Sequence, residues 1–305
     1  MELLSVKNMS CGYKNNDKYF EILNNINLYL KRNEILGIIG EIGSGKTTLL
    51  RALKGDLYIS SGDIIYNGKS IFSKDVYGNY RKNVIYARQD SMNILKPGYS
   101  VEFQIKKLFK HGDYDREYLR EIFDYLNIPL NVLNMLPSKL SDGTRHRILM
   151  AMALIIKPEI LLLDEPFTGL DSESITGLLK ILKKLKNEIS IIVVSSDVIP
   201  LFRLCDRIYA MKNGIILEDG AWNEILYKPH HPYVYDIINA IPSFENRHKD
   251  YKFTYNNIYG NCIYIKNCRF AKDICKSEIL YKYDDDHGYR CIRYPEWYND
   301  KDNKH

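Results

Sequence analysis

A glycine-rich stretch of eight residues constrains this chain more than any other feature. It reads Gly40-Glu41-Ile42-Gly43-Ser44-Gly45-Lys46-Thr47 and fits the pattern G-x-x-x-x-G-K-[ST]. An apolar segment of strand length, residues 34–39, comes just before it, and residues 48–53 read as a helix. This order of strand, glycine-rich turn and helix start predicts a phosphate-binding loop.

The residue types in this loop suit a nucleotide. Glycines let the backbone approach phosphate oxygens closely, and successive N–H groups and the helix N-terminus supply positive charge. Lys46 is expected to reach the β- and γ-phosphates, and the Thr47 hydroxyl is expected to ligate Mg²⁺. The expected phosphate-binding residues are Gly40, Glu41, Gly43, Ser44, Gly45, Lys46, Thr47 and Thr48.

A second stretch predicts the other half of such a site. The apolar run at residues 159–163 ends in Asp164 and Glu165. A continuous apolar run is typical of a buried parallel strand, and α/β sheets bind ligands at the C-terminal edge of such strands. We expect Asp164 to hold Mg²⁺ and Glu165 to orient an attacking water molecule.

The composition is that of an ordinary globular protein. The 305 residues suffice for one large domain or two modest ones, and 45% of them are hydrophobic. The net charge of +5 is scattered along the chain and does not indicate nucleic-acid binding. The longest apolar runs are about half of a membrane span, and no secretory signal is evident. We therefore expect a cytosolic protein.

Shorter patterns predict an α/β fold around the two motifs. Strands are expected at residues 3–7, 22–30, 60–69 (a hairpin with an Asn-Gly turn), 84–87, 189–194, 208–211 and 215–218. Residues 100–136 carry charge at helical spacing and predict a helical insert. Ser141 is the expected N-cap of the helix that contains the apolar run at residues 148–156.

Taken in order, these motifs resemble the nucleotide-binding subunit of an ATP-binding cassette (ABC) transporter. The resemblance covers residues 1–230, with the glycine-rich loop as Walker A and Ile160–Asp164 as Walker B. Residues 140–147 correspond to the LSGGQ-type signature, and residues 168–171 to the D-loop. The resemblance implies a P-loop NTPase cassette with a parallel ATPase core, an antiparallel β-subdomain and a helical subdomain at about residues 96–150.

The resemblance also implies roles for further residues. Gln89 takes the Q-loop position and would face Mg²⁺ together with Thr47, while Tyr13 would stack on adenine. Family members pair head to tail, so that each ATP lies between the Walker motifs of one subunit and the signature of the other. The residues expected to meet the partner's ATP are Ser141, Asp142 and Gly143, and Asp171 is the D-loop aspartate.

Two residues depart from the family pattern. Asp142 replaces the second glycine of the signature and places a carboxylate near the partner's γ-phosphate. Ser196 stands where the family has the H-loop histidine, and a serine reaches less far and cannot carry the charge. We hypothesise that this subunit's own site is slow or mainly structural, and that a different ATPase in a heterodimer provides the more active site.

The last part of the chain narrows the resemblance to one branch. Residues 227–242 are similar to the P-x-H-P-Y-T and A-I-P segments of dipeptide, oligopeptide and nickel importer ATPases. We therefore expect a nucleotide-binding domain at residues 1–226 and a cysteine-rich extension at residues 227–305. The adjacent His230 and His231 lie between prolines, and a structural role is expected for them rather than metal binding.

The extension contains four of the six cysteines. Cys262, Cys268, Cys275 and Cys291 follow the spacing C-x5-C-x6-C-x15-C. In a reducing cytosol such a set suggests a metal or cluster before disulfides. Four thiolates suit a [4Fe–4S] cluster or tetrahedral Zn²⁺, and unliganded thiols are the third alternative. The resemblance favours the cluster, because the importer branch carries a four-cysteine tail of this type.

The prediction is an ATPase that energises uptake of di- or oligopeptides from the cytoplasmic face of a bacterial membrane, as a peripheral subunit. The implied partners are two membrane permeases, a second ABC ATPase and an external substrate-binding protein, without nucleic acid. Three alternatives remain. They are an importer of nickel or a metal chelate, a largely inactive cassette that completes a heterodimer, and a soluble cassette protein of repair or translation, which would lack the His-Pro-Tyr segment and the cysteine tail.

Overall fold

The computed structural model describes residues 2–15, 18–87, 95–109, 114–241 and 261–300. The strands are β1 (Glu2–Asn15), β2 (Lys18–Lys31), β3 (Ile35–Ile39), β4 (Ile59–Tyr66), β5 (Lys69–Ser70), β6 (Val84–Ala87), β7 (Ile160–Asp164), β8 (Ser190–Ser195), β9 (Arg207–Lys212), β10 (Ile215–Ala221), β11 (Lys282–Asp284) and β12 (His287–Tyr289). The helices are α1 (Lys46–Leu53), α2 (Lys74–Asn83), α3 (Val101–Lys106), α4 (Arg116–Tyr125), α5 (Asp142–Ile155), α6 (Ser172–Leu185), α7 (Val198–Leu204), α8 (Trp222–Tyr227), α9 (Pro232–Asn239) and α10 (Glu296–Asp300).

The central sheet has the strand order β11-β12-β10-β9-β3-β8-β7-β6. Its middle is parallel: β9, β3, β8, β7 and β6 run in one direction. Every residue of β3, β7 and β8 is buried, which explains why these strands read as continuous apolar runs. Asp164 pairs with Val194, so β7 and β8 end side by side and their following residues meet at one edge.

A separate antiparallel sheet has the order β2-β1-β4-β5. The predicted hairpin around Asn67-Gly68 is confirmed by the pairing of β4 with β5. The first strand is longer than the predicted residues 3–7, since β1 extends to Asn15. Its pairing with β2 shifts register between Val6 and Met9 and again beyond it. These irregularities break the alternation of apolar residues on which the sequence prediction depended.

Helices predominate in the described residues between β6 and β7. The predicted helical insert is confirmed by α3 and α4, and short 3-10 helices follow at Leu130–Asn134 and Pro137–Lys139. The predicted N-cap is also confirmed, because the Ser141 hydroxyl accepts the N–H of Thr144 at 3.3 Å. The helix itself starts at Asp142, six residues before the apolar run that signalled it.

The C-terminal extension continues the central sheet. Its hairpin β11-β12 pairs antiparallel with β10, with Glu218 opposite Tyr289. The fully buried Glu218 carboxylate accepts the N–H groups of His230 and His231 and contacts His287 Nε2, each at 2.7 Å. Sequence reasoning did not foresee this hairpin, because residues 282–289 are polar and carry no strand-like alternation.

Candidate nucleotide site

The glycine-rich loop joins buried strand β3 to helix α1. At Gly40 a Cβ atom would lie 2.3 Å from the carbonyl oxygen of Met211, so a larger residue cannot fit without moving the backbone. Gly45 has φ of +104° and forms the N-cap of α1, a conformation that favours glycine. The loop therefore depends on glycine at its start and at its end, and α1 begins at Lys46 with its N–H groups facing the loop.

Lys46 is buried beneath this loop. Its Nζ donates hydrogen bonds to the carbonyl oxygens of Gly40 at 2.7 Å and Glu41 at 3.0 Å. It also lies 3.7 Å from Glu165 Oε1. Burial lowers the pKa of Lys46, and the neighbouring Glu165 opposes that shift. The Lys46 ammonium is thus fixed between the loop and the Glu165 carboxylate, in a position to bind a phosphate group.

Asp164 lies at the end of β7 and contacts two hydroxyl groups. Thr47 Oγ1 donates to Asp164 Oδ1 at 3.2 Å, and the Tyr86 hydroxyl donates to Oδ2 at 2.8 Å. Burial raises the pKa of the Asp164 carboxyl, while the hydrogen bonds from Tyr86 and Thr47 act in the other direction. A hydroxyl and a carboxylate in contact are oxygen ligands that suit Mg²⁺.

Glu165 is held by the end of the neighbouring strand. Its Oε2 accepts the hydroxyl of Ser195 at 2.8 Å, and its Oε1 accepts the backbone N–H of Ser196 at 2.8 Å. Its backbone has φ of +48°, a conformation uncommon outside glycine. The two carboxylate oxygens are therefore oriented by the last residue of β8 and by the residue that follows it. The Ser196 side chain itself is exposed.

Lys46, Thr47, Glu165 and Ser196 line one cleft of about 400 Å³. That volume is within the usual range for small-molecule sites. The predicted site residues that line it are Gly43, Gly45, Lys46, Thr47, Thr48, Glu165 and Ser196, joined by Ile22, Ile42 and Thr168. The structure thus brings together, in three dimensions, residues that are more than 150 positions apart along the chain.

Other predicted residues lie beside the cleft or outside the described chain. The Tyr13 hydroxyl is 3.2 Å from Thr48 Oγ1, and its ring lies under the guanidinium of Arg51 at 5.3 Å. Ser44 is buried in the loop and Glu41 is paired with Lys212 at its edge. Gln89 lies outside the described residues.

The signature residues do not line this cleft. Ser141 caps α5, and a Cβ atom added at Gly143 would meet nothing within 4 Å. Asp142 is the first residue of α5, and its side chain is outside the described part of the structure. Asp171 caps α6 by accepting the N–H of Ser174 at 2.8 Å, which lowers its pKa. The start of α5 is therefore exposed at Ser141 and Gly143.

The four cysteines of the extension line a single cavity together with His231, Tyr264, Phe270, Arg293 and Trp297. Burial raises the pKa of Cys291 to about 12 and also raises that of Cys262 and Cys268. Within the described ranges no trio of His, Cys, Asp or Glu is arranged as a site for a metal ion. The four thiols nevertheless border one small cavity of about 20 Å³, with the side chain of Arg293 at its wall.

Sequence reasoning missed three residues of the site. Tyr86 contacts Asp164, Ser195 contacts Glu165, and the Tyr233 hydroxyl accepts the N–H of Glu41 at 3.2 Å. Ser195 had one available signal, because it ends a buried strand next to the strand of Asp164 and Glu165. Tyr86 and Tyr233 had none, because only the packing of distant elements brings them to the loop.

Comparisons with known proteins agree with this geometry. The family profile described as "ABC transporter" matches residues 23–168. The chain is 31% identical to the oligopeptide transport ATP-binding protein OppD of Bacillus subtilis over 80% of this chain and 73% of that protein. It is 30% identical to OppD of Haemophilus influenzae over 90% of this chain and 91% of that protein.

A solved structure shares the fold. CbiO1 of Clostridium perfringens, described as part of the ABC transporter complex CbiONQ, is 28% identical and superposes with a TM-score of 0.62 over 74% of this chain and 91% of that one. With the cleft, the family profile and the curated relatives in agreement, this chain belongs to the ABC transporter family, in the group of ATP-binding subunits that includes the oligopeptide transport proteins.

Proposed function

We propose that this chain is the ATP-binding and ATP-hydrolysing subunit of an importer for di- or oligopeptides. The observation that carries the proposal is the convergence of Lys46, Thr47 and Glu165 on one cleft, with Asp164 hydrogen-bonded to Thr47 beside it. The peptide substrate is supported by relatives that are named oligopeptide transport ATP-binding proteins and that align over most of their length.

The geometry supports separate roles for the residues in and beside the cleft. Phosphate oxygens of ATP would compete with the carbonyl groups of Gly40 and Glu41 for the Lys46 ammonium. Thr47 and Asp164 are the residues that would hold Mg²⁺, which supplies charge neutralisation of the phosphates when bound. The oriented Glu165 carboxylate would accept a hydrogen bond from the attacking water and align it.

The substitution Glu165→Gln tests this function in the assembled importer. It should retain ATP binding and abolish both ATP hydrolysis and uptake of a labelled peptide, whereas the surface substitution Glu188→Gln should leave all three unchanged. Uptake of nickel and not of peptide would assign this chain to an importer of nickel or a metal chelate. Absence of nucleotide binding by the unmodified chain would refute it.

A second candidate is a cassette that binds ATP and only completes a heterodimer. Ser196 favours it, because its exposed side chain lines the cleft where the family has an imidazole. The intact and oriented Glu165 argues for turnover. In the heterodimer, hydrolysis that persists after Glu165→Gln in this chain would favour the structural role.

We further propose that permeases dock on the helical region. In this region Tyr99 and Phe103 are both partly exposed, their rings stack at 4.7 Å between centroids, and Lys107 lies over both. Exposed aromatic residues are frequent anchors of protein interfaces. In the described residues no helix is long and apolar enough to cross a membrane. Binding to permeases would place the chain at the cytoplasmic face, together with a second ATPase and an external binding protein.

The cysteine cavity supports a further part of the proposal, a [4Fe–4S] cluster held by Cys262, Cys268, Cys275 and Cys291. The four thiols border one cavity, and Arg293, which is 4% exposed, adds positive charge there. A four-iron cluster is larger than a single ion, so its sulfur ligands stand farther apart than those of one Zn²⁺.

Iron and zinc content, with a visible spectrum on protein purified without oxygen, tests the cluster. About four irons per chain and a broad visible band are expected. The substitution Cys268→Ser should remove the iron, while Cys205→Ser, at a buried thiol elsewhere, should retain it. Zinc alone would make the tail a structural zinc site, and absence of both metals would leave the thiols unliganded.

A further inference from the structure

The Tyr233 hydroxyl of the C-terminal extension forms a hydrogen bond with the phosphate-binding loop. Tyr233 lies in the first turn of α9 and is 1% exposed. Its hydroxyl accepts the N–H of Glu41 at 3.2 Å and donates to the carbonyl oxygen of Met211 at 3.3 Å. Burial raises the pKa of Tyr233, so the hydroxyl stays protonated and can both donate and accept.

The contact falls on the peptide group that also holds Lys46. The N–H of Glu41 and the carbonyl of Gly40 belong to the same planar peptide unit. Tyr233 binds the N–H side of this unit, and the carbonyl side accepts Lys46 Nζ at 2.7 Å. The tyrosine hydroxyl therefore fixes the plane that orients the phosphate-binding lysine.

Two further side chains, Lys212 and Tyr264, contact Glu41 or Tyr233. Lys212 Nζ lies 2.8 Å from Glu41 Oε2 and 4.8 Å from the centre of the Tyr233 ring. The ring of Tyr264 packs edge-on against that of Tyr233, with centroids 5.4 Å apart. Glu41 and Ser196 from the nucleotide site and Tyr233 from the extension also line one cavity of about 390 Å³. The extension thus borders the nucleotide site directly.

We propose that Tyr233 is a positioning residue of the nucleotide site, so that the extension completes the phosphate loop. The hydroxyl holds the peptide between Gly40 and Glu41 in the orientation that keeps the Lys46 ammonium between the loop and Glu165. This inference rests on the proposed ATP-binding function. It extends the site to a part of the chain that lies beyond the matched family profile.

The test compares two tyrosines of the same helix in the full-length chain. Tyr233→Phe removes the hydroxyl that meets the loop, and Tyr235→Phe removes a hydroxyl one half-turn away. With Tyr233→Phe, the dissociation constant and the KM for ATP should rise about twofold to tenfold, as expected for one hydrogen bond. The kcat at saturating ATP should stay unchanged, and Tyr235→Phe should match the wild type in both.

Several outcomes would overturn the inference. They are unchanged ATP affinity in Tyr233→Phe, an equal loss in Tyr235→Phe, or a fall in kcat without a change in KM. If Tyr233→Phe fails to fold, hydrogen exchange on the wild-type chain decides. The Glu41 amide should then exchange slowly, and exchange at the rate of an unstructured amide would refute the contact.

A Lys46→Ala variant separates this inference from the proposed function. If the wild-type chain binds ATP no better than Lys46→Ala, the proposed ATP-binding function itself fails. If the wild type binds ATP and Tyr233→Phe binds it equally well, the function stands and only the role of Tyr233 fails.

Discussion

The Ser195 hydroxyl donates a 2.8 Å hydrogen bond to the carboxylate of Glu165, and both groups are buried. The parallel pairing of β7 with β8, which sets Asp164 opposite Val194, brings the two residues together. A side chain that family resemblance does not single out thus helps to orient the candidate catalytic base.

We expect Ser195→Ala to lower kcat about tenfold to hundredfold with an unchanged KM for ATP, since a hydrogen bond to a charged group contributes roughly 1.5–3 kcal/mol. Ser195→Thr keeps a hydroxyl and should restore most of the rate. Steady-state ATPase assays of both variants check this. A slow threonine variant or a fast alanine variant would contradict the orienting role.

Tyr86 should affect how Mg²⁺ binding depends on pH. Tyr86→Phe removes a hydrogen bond that holds down the raised pKa of Asp164, so that pKa should rise further. Protonation then competes with Mg²⁺ at a higher pH. The Mg²⁺ concentration for half-maximal ATPase rate should increase, more at pH 6 than at pH 8.

The control for this prediction is Tyr58→Phe, which alters an exposed tyrosine. It should leave the Mg²⁺ requirement unchanged at both pH values. A Tyr86→Phe effect of equal size at pH 6 and pH 8 would show that the hydroxyl does not act through the protonation of Asp164.

His230 should make the fold sensitive to mild acid. Burial, with contributions from His287 and Lys228, lowers the pKa of His230 to about 3. In the unfolded chain His230 has an ordinary pKa of about 6.5. Between pH 6.5 and pH 3 this residue is therefore protonated in the unfolded chain and neutral in the folded chain. The free energy of unfolding consequently falls as the pH decreases through this range. At pH 5.5 the loss from this group is on the order of 1 kcal/mol.

Urea unfolding at pH 7.5 and pH 5.5 measures that loss. His230→Phe keeps a flat ring between those of His287 and Tyr294 and should lose less stability between the two pH values. An identical pH dependence in the variant would assign the acid sensitivity to other groups.

The pair of Glu218 and His287 should anchor the extension. His287→Phe removes one partner of the fully buried Glu218 carboxylate and should lower the free energy of unfolding by about 1–3 kcal/mol. Denaturant unfolding checks the value. The double variant Glu218→Gln with His287→Phe should recover part of the loss, and purely additive effects would contradict direct coupling.

Local patterns predicted the parts of the site whose signal lies within a few residues. The loop at Gly40–Thr47 and the strand Ile160–Asp164 were identified at their observed positions, because each motif carries its own chemistry. Contacts that depend on the packing of distant elements were not predicted. Tyr86 is 78 positions from Asp164, and Tyr233 is 192 positions from Glu41. Only the assembled sheet and helix positions determine which side chains meet there.

The pairing of β10 with β12 has a consequence for synthesis of the chain. Glu218 and His287 are 69 positions apart, and a ribosome adds roughly 5–20 residues per second. For several seconds, therefore, a nascent chain carries β10 with its outer edge unpaired and an acidic group that still lacks its imidazole partner. Unpaired strand edges invite association with other chains. In a chain truncated before this hairpin, the edge of β10 would stay unpaired. We expect such a chain to aggregate and not to fold as a smaller cassette.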